Sequence, residues 1–189
     1  LSFNTGILAA ADFDQQQPWL PDLVVGNCDY GNNTISEFLN DSAIPGDFLA
    51  PTSYPTGGVY SYCTSAGDFN GDSWIDIATG NTTSQDVSIL LNDGTGALSL
   101  QKVHSVPSLV SSMLSTDLDG DADLDIVLTS RESDNMVVLF NRCTSKCGDS
   151  NADGIMNITD AVYLPFMKGA TWDAEKGTIS VWTLTINSL

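Results

Sequence analysis

Asp68-Phe-Asn-Gly-Asp-Ser-Trp-Ile-Asp76 runs straight into Ile77-Ala-Thr-Gly-Asn81 and then, after a short polar turn, into Asp86-Val-Ser-Ile-Leu-Leu-Asn92. Three kinds of text follow one another here: short oxygen-bearing side chains in a recurring phase, an apolar run, and a second run that alternates. Short oxygen-rich residues with glycine fold as a loop, and apolar or alternating runs of five to seven residues bounded by turn signals read as strands. The same order returns downstream as Asp117-Leu-Asp-Gly-Asp-Ala-Asp-Leu-Asp125, Ile126-Val-Leu-Thr-Ser130 and Asn135-Met-Val-Val-Leu-Phe-Asn141. Upstream it returns as Asp22-Leu-Val-Val-Gly-Asn27 and Thr34-Ile-Ser-Glu-Phe-Leu-Asn40. The copies are 54 residues apart from Asp22 to Asp76 and 49 from Asp76 to Asp125. That period is the size of a propeller blade and exceeds most solenoid repeats. The fold class expected is all-β, a partial β-propeller of about three blades.

The acidic windows carry the chemistry. Side-chain oxygens recur at loop positions one, three, five and nine, as Asp68, Asn70, Asp72 and Asp76, and again as Asp117, Asp119, Asp121 and Asp125. Position seven, Trp74 or Asp123, is free to offer its main-chain oxygen. Such a loop supplies the six to eight oxygen ligands that calcium accepts in flexible geometry. Without a cation, two carboxylates about 4 to 5 Å apart repel by roughly 3 to 4 kcal/mol at an effective dielectric near 20. Magnesium prefers octahedral geometry and retains water, while zinc and copper favour His or Cys. Calcium is therefore the cofactor expected. Turn chemistry alone would not require the same phase twice ahead of the same strand, and a run of five Asp does not separate an acid from a base. The first copy is altered: Ala11-Asp-Phe-Asp-Gln-Gln-Gln-Pro-Trp-Leu-Pro-Asp22 spaces the loop ends by ten residues instead of eight and has Gln at the third ligand position, which weakens the case for calcium there.

A third window differs. Asp149-Ser-Asn151-Ala-Asp153-Gly-Ile155-Met-Asn-Ile-Thr-Asp160 fits a twelve-residue EF-hand loop, with Asp149, Asn151, Asp153 and Asp160 as side-chain ligands, Ile155 as the carbonyl ligand and glycine at position six. The residues Ala161-Val-Tyr-Leu164 that follow stand where an exit helix belongs. Pro165 inside such a helix costs about 3 kcal/mol unless the helix stops at Leu164. The run Thr178-Ile-Ser-Val-Trp-Thr-Leu-Thr-Ile186 alternates like a strand.

The strings at 68–72, 75–81 and 91–96 resemble the FG-GAP or VCBS repeat, over roughly residues 5–142. The resemblance implies blades of an extracellular, integrin-like propeller with calcium in an interstrand loop. The third window resembles the first half of a dockerin type I module, which would pair two such loops to dock on a cohesin; the lack of a second loop argues against cohesin as a partner. The organisation expected is blades over 1–142, a calcium loop and helix over 143–169, and a tail or strand over 170–189. Three blades do not close a ring that takes four to eight, so the chain reads as the C-terminal part of a longer propeller.

Composition bounds the rest. With 24 Asp and Glu against 6 Lys and Arg, and a formal charge of −18, the chain lacks the clustered cations that hold a phosphate backbone. This argues against nucleic acid as a partner and disfavours an anionic membrane surface for the same reason. No run approaches the roughly 20 apolar residues of a bilayer span, so no membrane insertion is expected. Leu1, without an initiator Met or signal segment, reads as the start of a mature or cut product. Four cysteines in a calcium-rich, oxidising compartment suggest two disulfides, with Cys28 to Cys63 and Cys143 to Cys147 preferred among three connectivities. His104, the single histidine, has no Gly-x-Ser-x-Gly elbow beside it and reads as a strand residue. Trp19, Trp74, Trp172 and Trp182 read as packing residues before sugar platforms. The function expected is non-catalytic: a secreted or cell-surface calcium-binding module recognising polysaccharide or another surface protein. The alternatives are an accessory region of a secreted polysaccharide-degrading enzyme and a purely structural spacer.

Overall fold

The structure is a computed structural model that describes residues 5–16, 19–29, 31, 33–107, 109–130 and 136–141, with strand pieces at 162–165, 172–173 and 178–179. Every element among the described residues is a strand. Sheet one contains β1 (Thr5–Ala11), β2 (Asp22–Asn27), β3 (Thr34–Phe38) and β4 (Thr52–Pro55). Sheet two contains β5 (Ser61–Gly67), β6 (Asp76–Asn81), β7 (Asp86–Asn92) and β8 (Leu98–Ser105). Sheet three contains β9 (Val110–Thr116), β10 (Asp125–Ser130), β11 (Met136–Phe140) and β12 (Val162–Pro165). Each is an antiparallel four-stranded meander in chain order. A separate pair joins β13 (Trp172–Asp173) to β14 (Thr178–Ile179), in register Trp172 to Ile179.

The first strands of successive sheets, β1, β5 and β9, lie side by side, so the three sheets stand face to face like blades and share two seams. In the first seam Phe13, Val24 and Ile35 pack on Ile77, Leu90 and Leu98. In the second, Phe69, Ala78, Val87 and Ile89 pack on Val110, Ile126, Leu128, Val137 and Leu139. Sheet two is covered on both sides, and all six residues of β6 are buried. In β2, by contrast, buried and half-buried residues alternate, as a period-two strand does with one face packed.

Two glycines set how closely the blades approach. A Cβ on Gly26 of β2 would sit 2.3 Å from the Ser61 carbonyl of β5, and one on Gly80 of β6 would sit 2.5 Å from Cγ1 of Val110 in β9. Neither position has room for a side chain. The same place in sheet three is Thr129, which is exposed.

Two expectations are corrected. Val162–Pro165 is not an exit helix but the outer strand of sheet three, paired as Val162 to Phe140 and Pro165 to Val137. A β-branched residue and an aromatic favour a strand, and proline is tolerated on an edge strand, where its missing N–H has no ladder to break. The Cys28–Cys63 disulfide is absent: both thiols are free and buried. The reason is orientation. Cys28 donates to the Ser61 carbonyl at 3.2 Å, on the sheet-one side of β5. Cys63 belongs to the opposite seam, among Val110 and Ala78. Cys143, Cys147, Trp182 and the EF-like window 149–160 lie outside the described residues, and of the alternating run at 178–186 only Thr178–Ile179 is described.

Candidate metal centre

The acidic stretches 12–22, 68–76 and 117–125 are each the loop between the first and second strands of a sheet, and all three lie on one rim. In sheet two, Asp68 folds the loop around its own carboxylate, accepting N–H bonds from Gly71 at 2.7 Å, Asp72 at 3.2 Å and Ser73 at 2.8 Å. Asp72 accepts from Trp74 N–H at 2.8 Å and from the Asn70 amide at 2.8 Å. Sheet three repeats the scheme: Asp117 accepts from Gly120 at 2.7 Å and Ala122 at 3.1 Å, and Asp121 accepts from Asp123 at 3.0 Å. The backbone matches too. Gly71 and Ser73 have φ of 77° and 75°, and Gly120 and Ala122 have φ of 82° and 78°. Glycine recurs at position four because the loop needs a left-handed residue there; in sheet one Gln15 takes that role at φ 49°.

The carboxylate that closes each loop is buried and does a further, structural job. Asp76, with 0% exposure, accepts from Phe69 N–H at 3.0 Å and from Asn92 N–H at 2.9 Å. Asp22 accepts in the same way from Phe13 at 2.8 Å and Asn40 at 2.7 Å. Asp125 accepts from Leu118 at 2.8 Å and Asn141 at 2.9 Å. Each carboxylate thus ties its acidic loop to the end of the third strand. Burial pushes the Asp76 carboxyl up to about 7, against the two backbone bonds and with the help of Asp72 and Asp68. Asp22 is raised by burial as well.

The asparagines at the strand ends, quoted in the sequence without a role, clamp blade to blade. The Asn92 amide donates to the Phe13 carbonyl of sheet one at 2.8 Å and to Ile75 of its own loop at 3.1 Å. The Asn141 amide donates to the Phe69 carbonyl of sheet two at 2.9 Å. The signal for them was present: Asn40, Asn92 and Asn141 close the same strand in all three copies. Asn81 is a further buried polar residue, donating to Asp86 and Ser88 at 2.7 Å each. Asn81-Thr-Thr83 has the form of an N-glycosylation acceptor, but with 0% exposure the Asn81 side chain is closed to modification.

Two sets of carboxylates come together. Asp12, Asp14 and Asp22 in sheet one, and Asp117, Asp119 and Asp125 in sheet three, each place three oxygens within 4.8 Å of one another. Oxygens bound at about 2.4 Å to one calcium lie at most about 4.8 Å apart, so both sets fit a shared cation. The first of these is the loop expected to be poorest. Its two extra residues are accommodated, because Asp22 still reaches Phe13 N–H. In sheet two, Asp68, Asp72 and Asp76 do not form such a group among the described residues. The Asp12 carboxyl is raised, first by burial and then by Asp22 and Asp14, and its Oδ1 is buried without a hydrogen-bond partner. Asp119 is raised by desolvation, Asp121 and Asp125. Close carboxylates that hinder one another's ionisation are an arrangement that a divalent cation relieves.

The tryptophans divide. Trp74 lies over the sheet-two hairpin, with Cε2 2.6 Å from where a Cβ on Gly94 would stand, while Trp19 is 75% exposed. His104 sits half-buried in β8 with Nε2 unpartnered, and burial lowers it to about 4.

Residues 68–128 match the FG-GAP-like repeat family, from the acidic loop of sheet two into β10 of sheet three. No curated protein matches the sequence significantly. The match and the three side-by-side antiparallel sheets point to a β-propeller-type module. Among the described residues no helix is long and apolar enough to cross a membrane.

Proposed function

We propose that the chain is a calcium-binding, non-catalytic module of an extracellular protein, which uses its propeller-type scaffold in adhesion or in recognition of polysaccharide or another protein. The observation that carries this reading is the recurrence of one loop. Carboxylates gather within 4.8 Å at the same rim position of sheets one and three. Asp12, Asp14 and Asp22 would hold one ion, and Asp117, Asp119 and Asp125 with Asp121 another. Asp68, Asn70, Asp72 and Asp76, with the Trp74 carbonyl, would hold a third once Asp68 and Asp72 release loop N–H groups. The EF-like residues Asp149, Asn151, Asp153, Ile155 and Asp160 are proposed ligands on sequence alone.

Calcium in these loops would replace carboxylate repulsion with attraction and fix the rim on which a ligand is presented. Isothermal titration of the full chain with calcium tests the reading. Saturable uptake that falls by about one site in Asp14→Ala and by one site in Asp119→Ala is expected. Absence of uptake at millimolar calcium overturns it.

A further inference from the structure

The rim of sheet one carries a second feature that calcium does not use. Between β3 and β4 the chain makes a self-bonded loop. Asp41 N–H donates to the Asp47 carbonyl at 2.8 Å, Asp47 N–H to Ile44 at 3.0 Å, and Leu49 N–H to Leu39 at 2.8 Å. The Asn40 side chain anchors it to the acidic loop through the Pro21 carbonyl at 3.1 Å and accepts Gly46 N–H at 3.1 Å. This braced loop holds large apolar side chains out in solvent: Ile44 at 58% exposure, Leu49 at 49% and Phe48 at 41%, with Trp19 at 75% on the neighbouring loop. Four large apolar residues on one rim are the kind of patch that marks an interaction site.

Among the described residues the surroundings of the patch are of a single charge. Asp41 and Asp47 lie in the loop itself, and Asp14 lies beside it. The sheet-two hairpin carrying Asp93 closes against that side, where a Cβ on Gly96 would stand 3.3 Å from Cβ of Asp14 and 3.7 Å from Cδ1 of Leu39. All six Lys and Arg of the chain fall at position 102 or later, so no cation of sheet one offsets these acids. An apolar centre inside an unmixed acidic border favours a partner with the inverse pattern, because opposite potentials steer and orient docking while apolar anchors supply affinity.

We infer that this rim is a docking surface for a basic polypeptide segment with apolar anchors, seated on Trp19, Ile44, Phe48 and Leu49 and bordered by Asp41, Asp47 and Asp93. The inference deepens the recognition role proposed above and rests on it. Its test is separable, because calcium uptake is measured independently on the same samples.

The probe is a fluorescein-labelled twelve-residue peptide of alternating Lys and Leu, titrated with the full chain and followed by anisotropy, in chelator and in calcium. Saturable binding is expected, at least tenfold weaker for a Lys/Ser peptide and for a Glu/Leu peptide. The double variant Ile44→Ser with Leu49→Ser should weaken the Lys/Leu peptide at least tenfold while leaving calcium uptake and melting temperature unchanged. Asp41→Asn with Asp47→Asn should weaken it several-fold and flatten its salt dependence. Equal binding of the Lys/Ser peptide, indifference to the Ile44/Leu49 variant, or no binding would overturn the inference whatever the calcium result. So would cosedimentation of the chain with phosphatidylcholine–phosphatidylglycerol vesicles that requires the same apolar residues, since that would make a lipid surface the occupant.

Discussion

Replacing Glu37 by Ile probes the seam between sheets one and two. Glu37 lies in β3 opposite Val24. Ile89 holds the corresponding place in sheet two, opposite Ala78. Glu37 is 2% exposed, its Oε2 accepts the Tyr54 hydroxyl at 3.1 Å, and its Oε1 is buried without a partner. Burial, reinforced by Asp22 and Asp14 and opposed by the Tyr54 bond, pushes the carboxyl up to about 7 from the ordinary 4.5. The folded chain therefore keeps its proton where the unfolded chain has lost it. Stability is greatest below pH 4.5, falls as pH rises toward 7, and stays low above that. At about 1.4 kcal/mol per unit, the loss by pH 8 is about 3 kcal/mol. Glu37→Ile removes that loss, adds apolar contact and leaves the Tyr54 hydroxyl without its acceptor, at a cost of about 1 kcal/mol. The variant should be about 2 kcal/mol more stable than the parent at pH 8 and no more stable at pH 4.5. Urea denaturation in chelator at half-unit steps from pH 4.5 to 8.5 measures the difference directly, and other titrating carboxyls cancel in it. Parallel stability curves for parent and variant would refute the reasoning.

Other substitutions separate structural from ligating roles. Asp76→Ala strands two buried N–H groups, on Phe69 and Asn92, and should cost about 2 to 5 kcal/mol in urea denaturation, in chelator as well as in calcium. Asp119→Ala, at an exposed position, should leave stability in chelator unchanged and lower the melting temperature only in calcium; an equal drop in both would count against Asp119 as a ligand. Gly80→Val drives a side chain into Val110 and Cys63 and should destabilise by about 2 kcal/mol or more, with a matching fall in melting temperature. Burial pushes the Cys28 and Cys63 thiols up to about 11 and about 12, so both should resist a thiol reagent at pH 8 until the chain is unfolded. Rapid labelling of the native chain would contradict their placement.

What the sequence determined by itself was local and periodic. The middle strands of each sheet were legible because their apolar and alternating runs are bounded by Asp and Asn. The acidic loops were legible because carboxylates recur in fixed phase with glycine at position four. Only the tertiary structure decided the rest. The inner strand β5, Ser-Tyr-Cys-Thr-Ser-Ala-Gly, has no strong pattern of its own and is a strand because neighbours enclose it on both sides. Val162–Pro165 became a strand because β11 offered an unpaired edge, which outweighed the EF-hand context read upstream of it. The two thiols expected to bond lie on opposite faces of β5, a fact set by how the sheets stack. The position-nine carboxylates proved to be buried acceptors for two backbone segments, and their asparagine neighbours proved to be clamps between sheets. Spacing along a chain reports which groups can share a loop. Which groups meet across a seam depends on packing between residues some 70 positions apart, such as Phe69 and Asn141 at |i−j| = 72, and no local pattern encodes that distance.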